Sequence, residues 1–142
     1  MTTFLRRFPT PPHHMNQDER HEAGMQVRRE VLGAEHVDRA TAGATAFTAD
    51  FQDFITRYAW GEVWARPGLA RRERSLITLA LLIALNREDE FKMHVRAAFH
   101  NGVTVPELKE LILHASLYCG LPAANAAYHA AEKVFAELDI KP

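Results

Sequence analysis

The spacing of its apolar residues constrains this chain most. Almost every periodic segment repeats at three and four residues, and no segment alternates convincingly as a strand would. Such a chain buries its apolar surface by packing helix against helix, and the expected fold is an all-α single helical domain of about six to seven helices. Asn16 followed by Glu19 predicts a capping box, and Ala23, Val27 and Val31 form an i, i+4 stripe that stops at Gly33. A short helix is expected over Asp38 to Ala42. A longer one starts at Thr48 or Asp50, carries Phe51, Phe54, Ile55, Tyr58, Trp60 and Trp64, and breaks at Pro67-Gly68. From about Ala70 to Leu85 the chain begins basic and turns nearly all apolar after Ser75, which predicts a central helix buried all round. Asn86 is the expected cap of the next helix, which carries Phe91, His94, Val95 and Ala98 and ends at Asn101-Gly102. Thr104 and Glu107 predict a second capping box with Pro106 in the permitted first turn, and Cys119-Gly120 closes that helix. Pro122 opens the last helix, whose alanines at 123, 124, 126, 127, 130 and 131 permit close approach to another helix.

With 142 residues the chain has room for one domain and a real core, and the charge balance of -1 supplies no general attraction to nucleic acid or an anionic membrane. An anionic ligand therefore needs a local cationic cluster. One cysteine excludes an internal disulfide framework and suits a reducing cytoplasm. The longest apolar run, Leu76 to Leu85, is about half of a bilayer span and reads as a buried helix rather than a membrane segment. Residues 1–14 hold Pro9, Pro11 and Pro12 and have no apolar stretch of signal-peptide length. They are expected to be a disordered extension, with residues 15–142 as the folded domain and Met15 a candidate biological start.

Three polar concentrations could carry chemistry. Arg71, Arg72 and Arg74, with Arg57 on the preceding helix, are either a solvated helix start or an anion site; cations at a helix N-terminus oppose its dipole and usually need an anion. Glu90 and His94 lie one turn apart, so the carboxylate could orient the imidazole of a general acid–base, although an ordinary surface pair has the same spacing. The segment Tyr118 to His129 offers Cys119, Asn125 and His129, for which packing or interface filling is the simpler reading. Trp60 and Trp64 read first as packing. No histidine spacing identifies a metal site.

The stretch Arg87 to Glu107, with His94-x3-Ala98-x3-Gly102 followed by a new helix at Thr104, resembles the core of the carboxymuconolactone decarboxylase and alkylhydroperoxidase superfamily. The peroxidase branch places a Cys-x2-Cys pair just before that histidine; Arg87 and Glu90 stand at those positions here, and Cys119 lies elsewhere. Ser75 stands where the same branch has a glutamate, so that proton relay does not carry over. The runs ITRYAWGEVWARPGLARRERSLITLA (Ile55 to Ala80), YCGLPAAN (Tyr118 to Asn125) and MNQDERHEAGMQVRREVLG near the start are similar to the cofactor-free decarboxylase branch, and the resemblance covers Met15 to Leu138. It implies the alkylhydroperoxidase D-like helical fold, no cofactor, and a ring-like homo-oligomer (a trimer or a hexamer). It also implies decarboxylation of 4-carboxymuconolactone to 3-oxoadipate enol-lactone and CO2 in protocatechuate catabolism by the β-ketoadipate pathway.

That chemistry needs no external electron sink, because the pair released with CO2 passes through the ring double bond onto the lactone oxygen. The protein must hold the spectator carboxylate, stabilise the oxyanion and protonate a ring carbon. Arg57, Arg72 and Arg74 are candidates for the first task. His94 is expected to be the acid, with a pKa near working pH and Glu90 as orienting partner. Trp60 and Trp64 would line the apolar region around the departing carboxylate. Three rival readings stay open: a paralogue with another lactone or acid substrate, a non-catalytic helical assembly, and, least favoured, a peroxidase.

Overall fold

The computed structural model describes residues 15–142; the expected extension over 1–14 lies outside the described residues. Among these, seven α-helices and one π-helix follow one another without a strand: α1 (Gln17–Leu32), α2 (Ala34–Ala42), α3 (Ala49–Ile55), the π-helix (Thr56–Trp64), α4 (Arg71–Ala84), α5 (Glu88–His100), α6 (Val105–Cys119) and α7 (Leu121–Glu137). No helix in this range is long and apolar enough to cross a membrane. Both expected capping boxes form: Asn16 with Glu19 starts α1, and Thr104 with Glu107 starts α6, with Pro106 in its first turn.

Two apolar centres hold the helices together. The larger joins α4 to α7 through Leu79, Ile83, Phe91, Val95, Leu108, Ile112, Val134 and Phe135. Buried Ala124, Ala127, Ala130 and Ala131 let α7 lie close against its neighbours, as its composition predicts. The smaller centre is Val27, Val31 and Trp60, between α1 and the π-helix. There two glycines set the distance. A Cβ on Gly24 would sit 2.0 Å from the Thr56 carbonyl oxygen, and one on Gly61 would sit 2.7 Å from that of Arg20. The backbones touch at both points, which no other residue type allows.

Four expectations change. The short helix begins at Ala34 rather than Asp38, because Gly33 at φ 90° turns the chain directly from α1 into α2, without a loop. The long helix through Trp64 is wound in two ways, α to Ile55 and π beyond it. Helix α4 is not buried all round: Ser75, Leu79 and Ile83 face the core, whereas Ile77, Leu81 and Leu85 are exposed. Asn86 does not cap α5; it adopts the left-handed conformation at φ 54°, and Arg87 holds the cap position without a side-chain bond.

Candidate active site

The π-helix arranges the site. Its wider winding turns less per residue than an α-helix, so residues four apart lie almost over one another. Thr56, Trp60 and Trp64 therefore share one face, with Thr56 and Trp60 buried and Trp64 half-buried. The two indoles meet at 5.2 Å between centroids, and the imidazole of His94 stacks on Trp64 at 6.3 Å with the planes 18° apart. Trp64 also borders a groove of about 240 Å³ lined with Val63, Leu69, Arg74, Ile77 and Thr78. This end of the π-helix thus joins an imidazole, an indole and a guanidinium beside an apolar wall.

His94 is buried in α5, and its Nδ1 has no hydrogen-bond partner. Burial, and after it the nearby His36, bring its pKa from 6.5 down to about 4 against an upward pull from Glu90. The imidazole is therefore neutral at pH 7, which corrects the expectation of a pKa near working pH. Glu90 is exposed and leaves Nδ1 unbonded, so it acts on His94 only through its charge. At the far end of the same helix face, Asn101 donates to Ser75 Oγ at 3.1 Å and to the Val31 carbonyl at 3.4 Å, tying α5 to α4 and α1. Ser75 is fully buried in that bond.

The arginines expected to meet substrate have different partners. Arg57 pairs with Asp53 at 2.5 Å. Arg72 bridges Glu73 and Glu107, and Arg71 meets Glu30 at 2.6 Å, so protein carboxylates supply the anions that this basic helix start requires. Only Arg74 of the expected group reaches the groove; it donates to the Arg66 carbonyl at 3.2 Å and keeps a buried, unpartnered Nε. Cys119 is a half-buried free thiol, and Asn125 and His129 are exposed, His129 lying 3.5 Å from Glu132. Among the described residues no three His, Cys, Asp or Glu side chains converge as a metal site would need.

Sequence reasoning missed Arg28. It lies on α1, one turn beyond Gly24, and is buried, donating to Thr56 Oγ1 at the start of the π-helix at 3.4 Å and to Gln52 Oε1 on α3 at 3.0 Å. The only signal in the sequence was its place one residue after Val27 in the α1 stripe, which read as a polar edge.

An all-α fold with a buried histidine on the fifth α-helix and an indole stacked on it defines a helical protein of the alkylhydroperoxidase D-like fold. The chain belongs to the carboxymuconolactone decarboxylase family, whose profile matches residues 49–133. It is 61% identical over 128 residues to the 4-carboxymuconolactone decarboxylase of Acinetobacter baylyi, covering 90% of this chain and 96% of that protein. It is also 44% identical over 117 residues to the nitrosuccinic acid decarboxylase of Metarhizium robertsii, covering 82% of each. A 4-carboxymuconolactone decarboxylase sequence from Pseudomonas putida is 50% identical over 48 residues, which span 34% of this chain and 100% of that sequence.

Proposed function

We propose that this protein is a carboxy-lyase that converts 4-carboxymuconolactone to 3-oxoadipate enol-lactone and CO2, in the catabolism of protocatechuate. The observation that carries the reading is 61% identity along nearly the full length of a decarboxylase of that name. The likeness to a nitrosuccinic acid decarboxylase narrows the chemistry. Nitrosuccinate and 4-carboxymuconolactone share a succinate unit, and each carries its own electron sink: a nitro group in one, an unsaturated lactone in the other. A scaffold able to serve both holds a succinate-like dianion and lets one carboxylate leave.

In the proposed reaction the C–C bond to the departing carboxylate breaks and its electron pair moves through the ring double bond onto the lactone oxygen. The resulting dienolate then takes a proton at a ring carbon and the carbonyl reforms. His94 delivers that proton. A bound dianion supplies the negative charge that raises the depressed pKa of a neutral buried imidazole, so the substrate itself charges the acid. Arg74 holds the spectator carboxylate at the groove, and the Trp60–Trp64 wall keeps the departing one poorly solvated, which favours loss of neutral CO2. Arg57 and Arg72 lend charge from behind their own carboxylates. Glu90 biases His94 toward the protonated form.

The molecule acts as a cytoplasmic homo-oligomer, a trimer or a hexamer. The exposed apolar residues Ile77, Leu81 and Leu85 on α4, with Leu113, Leu117, Tyr118 and Leu121 around α6, support a subunit interface. Incubation of the purified protein with 4-carboxymuconolactone tests the activity: the conjugated-lactone absorbance falls as CO2 appears. Turnover of another lactone or of nitrosuccinate alone would point instead to a paralogue.

A further inference from the structure

Arg28 carries a charge that its surroundings leave unbalanced. It is 94% shielded from solvent (6% exposed), yet no carboxylate among the described residues lies within ion-pair distance of it. Its two partners, the Gln52 amide oxygen and the Thr56 hydroxyl, are neutral, and its Nε is buried without a partner. A guanidinium has five donors, so the two neutral contacts fix its plane and leave its donor capacity unfilled and its charge without an anion. A buried cation without an anion is unfavourable, and structural arginines in protein interiors are normally paired.

Among the described residues, no anion comes from the neighbourhood either. His36, on α2, lies close enough to feel Arg28, Arg39 and Arg96, and His94 feels His36. Of these, Arg39 pairs with Glu35 and Arg96 with Glu137, both on the surface. Arg28 alone is both buried and unpaired. It also grips Thr56, the first residue of the π-helix face whose last member, Trp64, stacks on His94.

We propose that Arg28 is a substrate-binding residue whose counter-charge is a carboxylate of the bound dianion, held on the His36 side of His94. This rests on the decarboxylase reading of the site. It gives the spectator carboxylate a second cation in addition to Arg74, while the departing carboxylate stays against the Trp60–Trp64 wall. It also explains why the protein by itself holds these histidines neutral: the charge that would permit their protonation arrives with the substrate.

The test uses succinate, the inert dicarboxylate fragment common to both candidate substrates, with the full-length protein. A ligand that binds only the folded state raises Tm with concentration. Succinate is expected to raise the Tm of the wild type and to have little effect on Arg28→Met, which keeps the packed stem and removes the charge. With 4-carboxymuconolactone, Arg28→Met is expected to raise KM by roughly 10- to 100-fold, the loss of a charge-assisted bond, with a smaller change in kcat. Arg28→Lys should recover part of both. A merely structural Arg28 would lower Tm in the variant while leaving its succinate response intact, and that result overturns the proposal. So does a wild type whose Tm ignores succinate. If Arg28→Met does not fold, Arg28→Gln, which keeps a donor for Thr56, carries the same comparison. A succinate response that depends on Arg28 in a protein inert toward 4-carboxymuconolactone would defeat the proposed reaction and leave the carboxylate site standing. Turnover with an Arg28-independent KM and succinate response would do the reverse.

Discussion

Acid should destabilise this protein through His94. A histidine whose folded pKa lies below its unfolded value takes up its proton first in the unfolded chain. The stability due to its neutral burial is therefore complete above about pH 6.5 and drains away as pH falls toward about 4. The folded pKa is about 4 against an ordinary 6.5. That gap is about 2.5 units, and at about 1.4 kcal/mol per unit it amounts to about 3 kcal/mol in full. At about pH 4.5, short of the folded pKa, roughly 2.5 kcal/mol of it is already lost. Urea unfolding of the wild type and of His94→Gln near pH 7.5 and pH 4.5, at one protein concentration, isolates the contribution. His36, whose pKa burial and three arginines also lower, adds a decline of the same sign to both proteins and cancels in the comparison. The wild type should lose about 2.5 kcal/mol more than the variant. Equal losses in the two would show that the imidazole at position 94 titrates normally, and the argument for a substrate-charged acid would fail with it.

Three further outcomes follow from the packing and the ion pairs. Gly24→Ala places a methyl 2.0 Å from the Thr56 carbonyl oxygen and should cost about 3 kcal/mol or more, read as a fall in Tm. Arg72→Met breaks a solvent-screened pair with Glu107; it should change stability by less than about 1 kcal/mol and KM by less than about twofold, whereas Arg74→Met should raise KM about tenfold. Cys119→Ser should leave turnover unchanged, and neither form should reduce a hydroperoxide at the expense of thiols.

The sequence announced the helices because their signals are local. The Asn16–Glu19 and Thr104–Glu107 boxes and the stops at Gly33, Gly102 and Gly120 each act within one turn, and all of them appear in the fold. What stayed hidden depends on contacts between distant segments. Nothing in TRYAWGEVW distinguishes π from α winding; the wider helix goes with two backbone touches, Gly24 on Thr56 and Gly61 on Arg20, that pair residues far apart in the chain. Helix α4 read as buried all round because its apolar run is unbroken, but hydropathy cannot tell a core face from a face left for another subunit. The arginines illustrate the same limit. Their clustering was visible, yet which of them keeps a free edge depends on Glu30, Asp53 and Glu107, and the partners at 30 and 107 lie 41 and 35 residues away from Arg71 and Arg72. Arg28 was overlooked because a lone arginine at the edge of a helix stripe looks solvated until a second helix covers it.

The measurement that bears most directly on the account is the turnover of 4-carboxymuconolactone by the wild type and by His94→Ala, with circular dichroism confirming that both are folded. A wild type that releases CO2 and a variant slowed by about 100-fold or more are the expected results. An inert wild type, or a folded variant that turns over as fast as its parent, would contradict the reading of this fold as a decarboxylase whose buried imidazole supplies the proton.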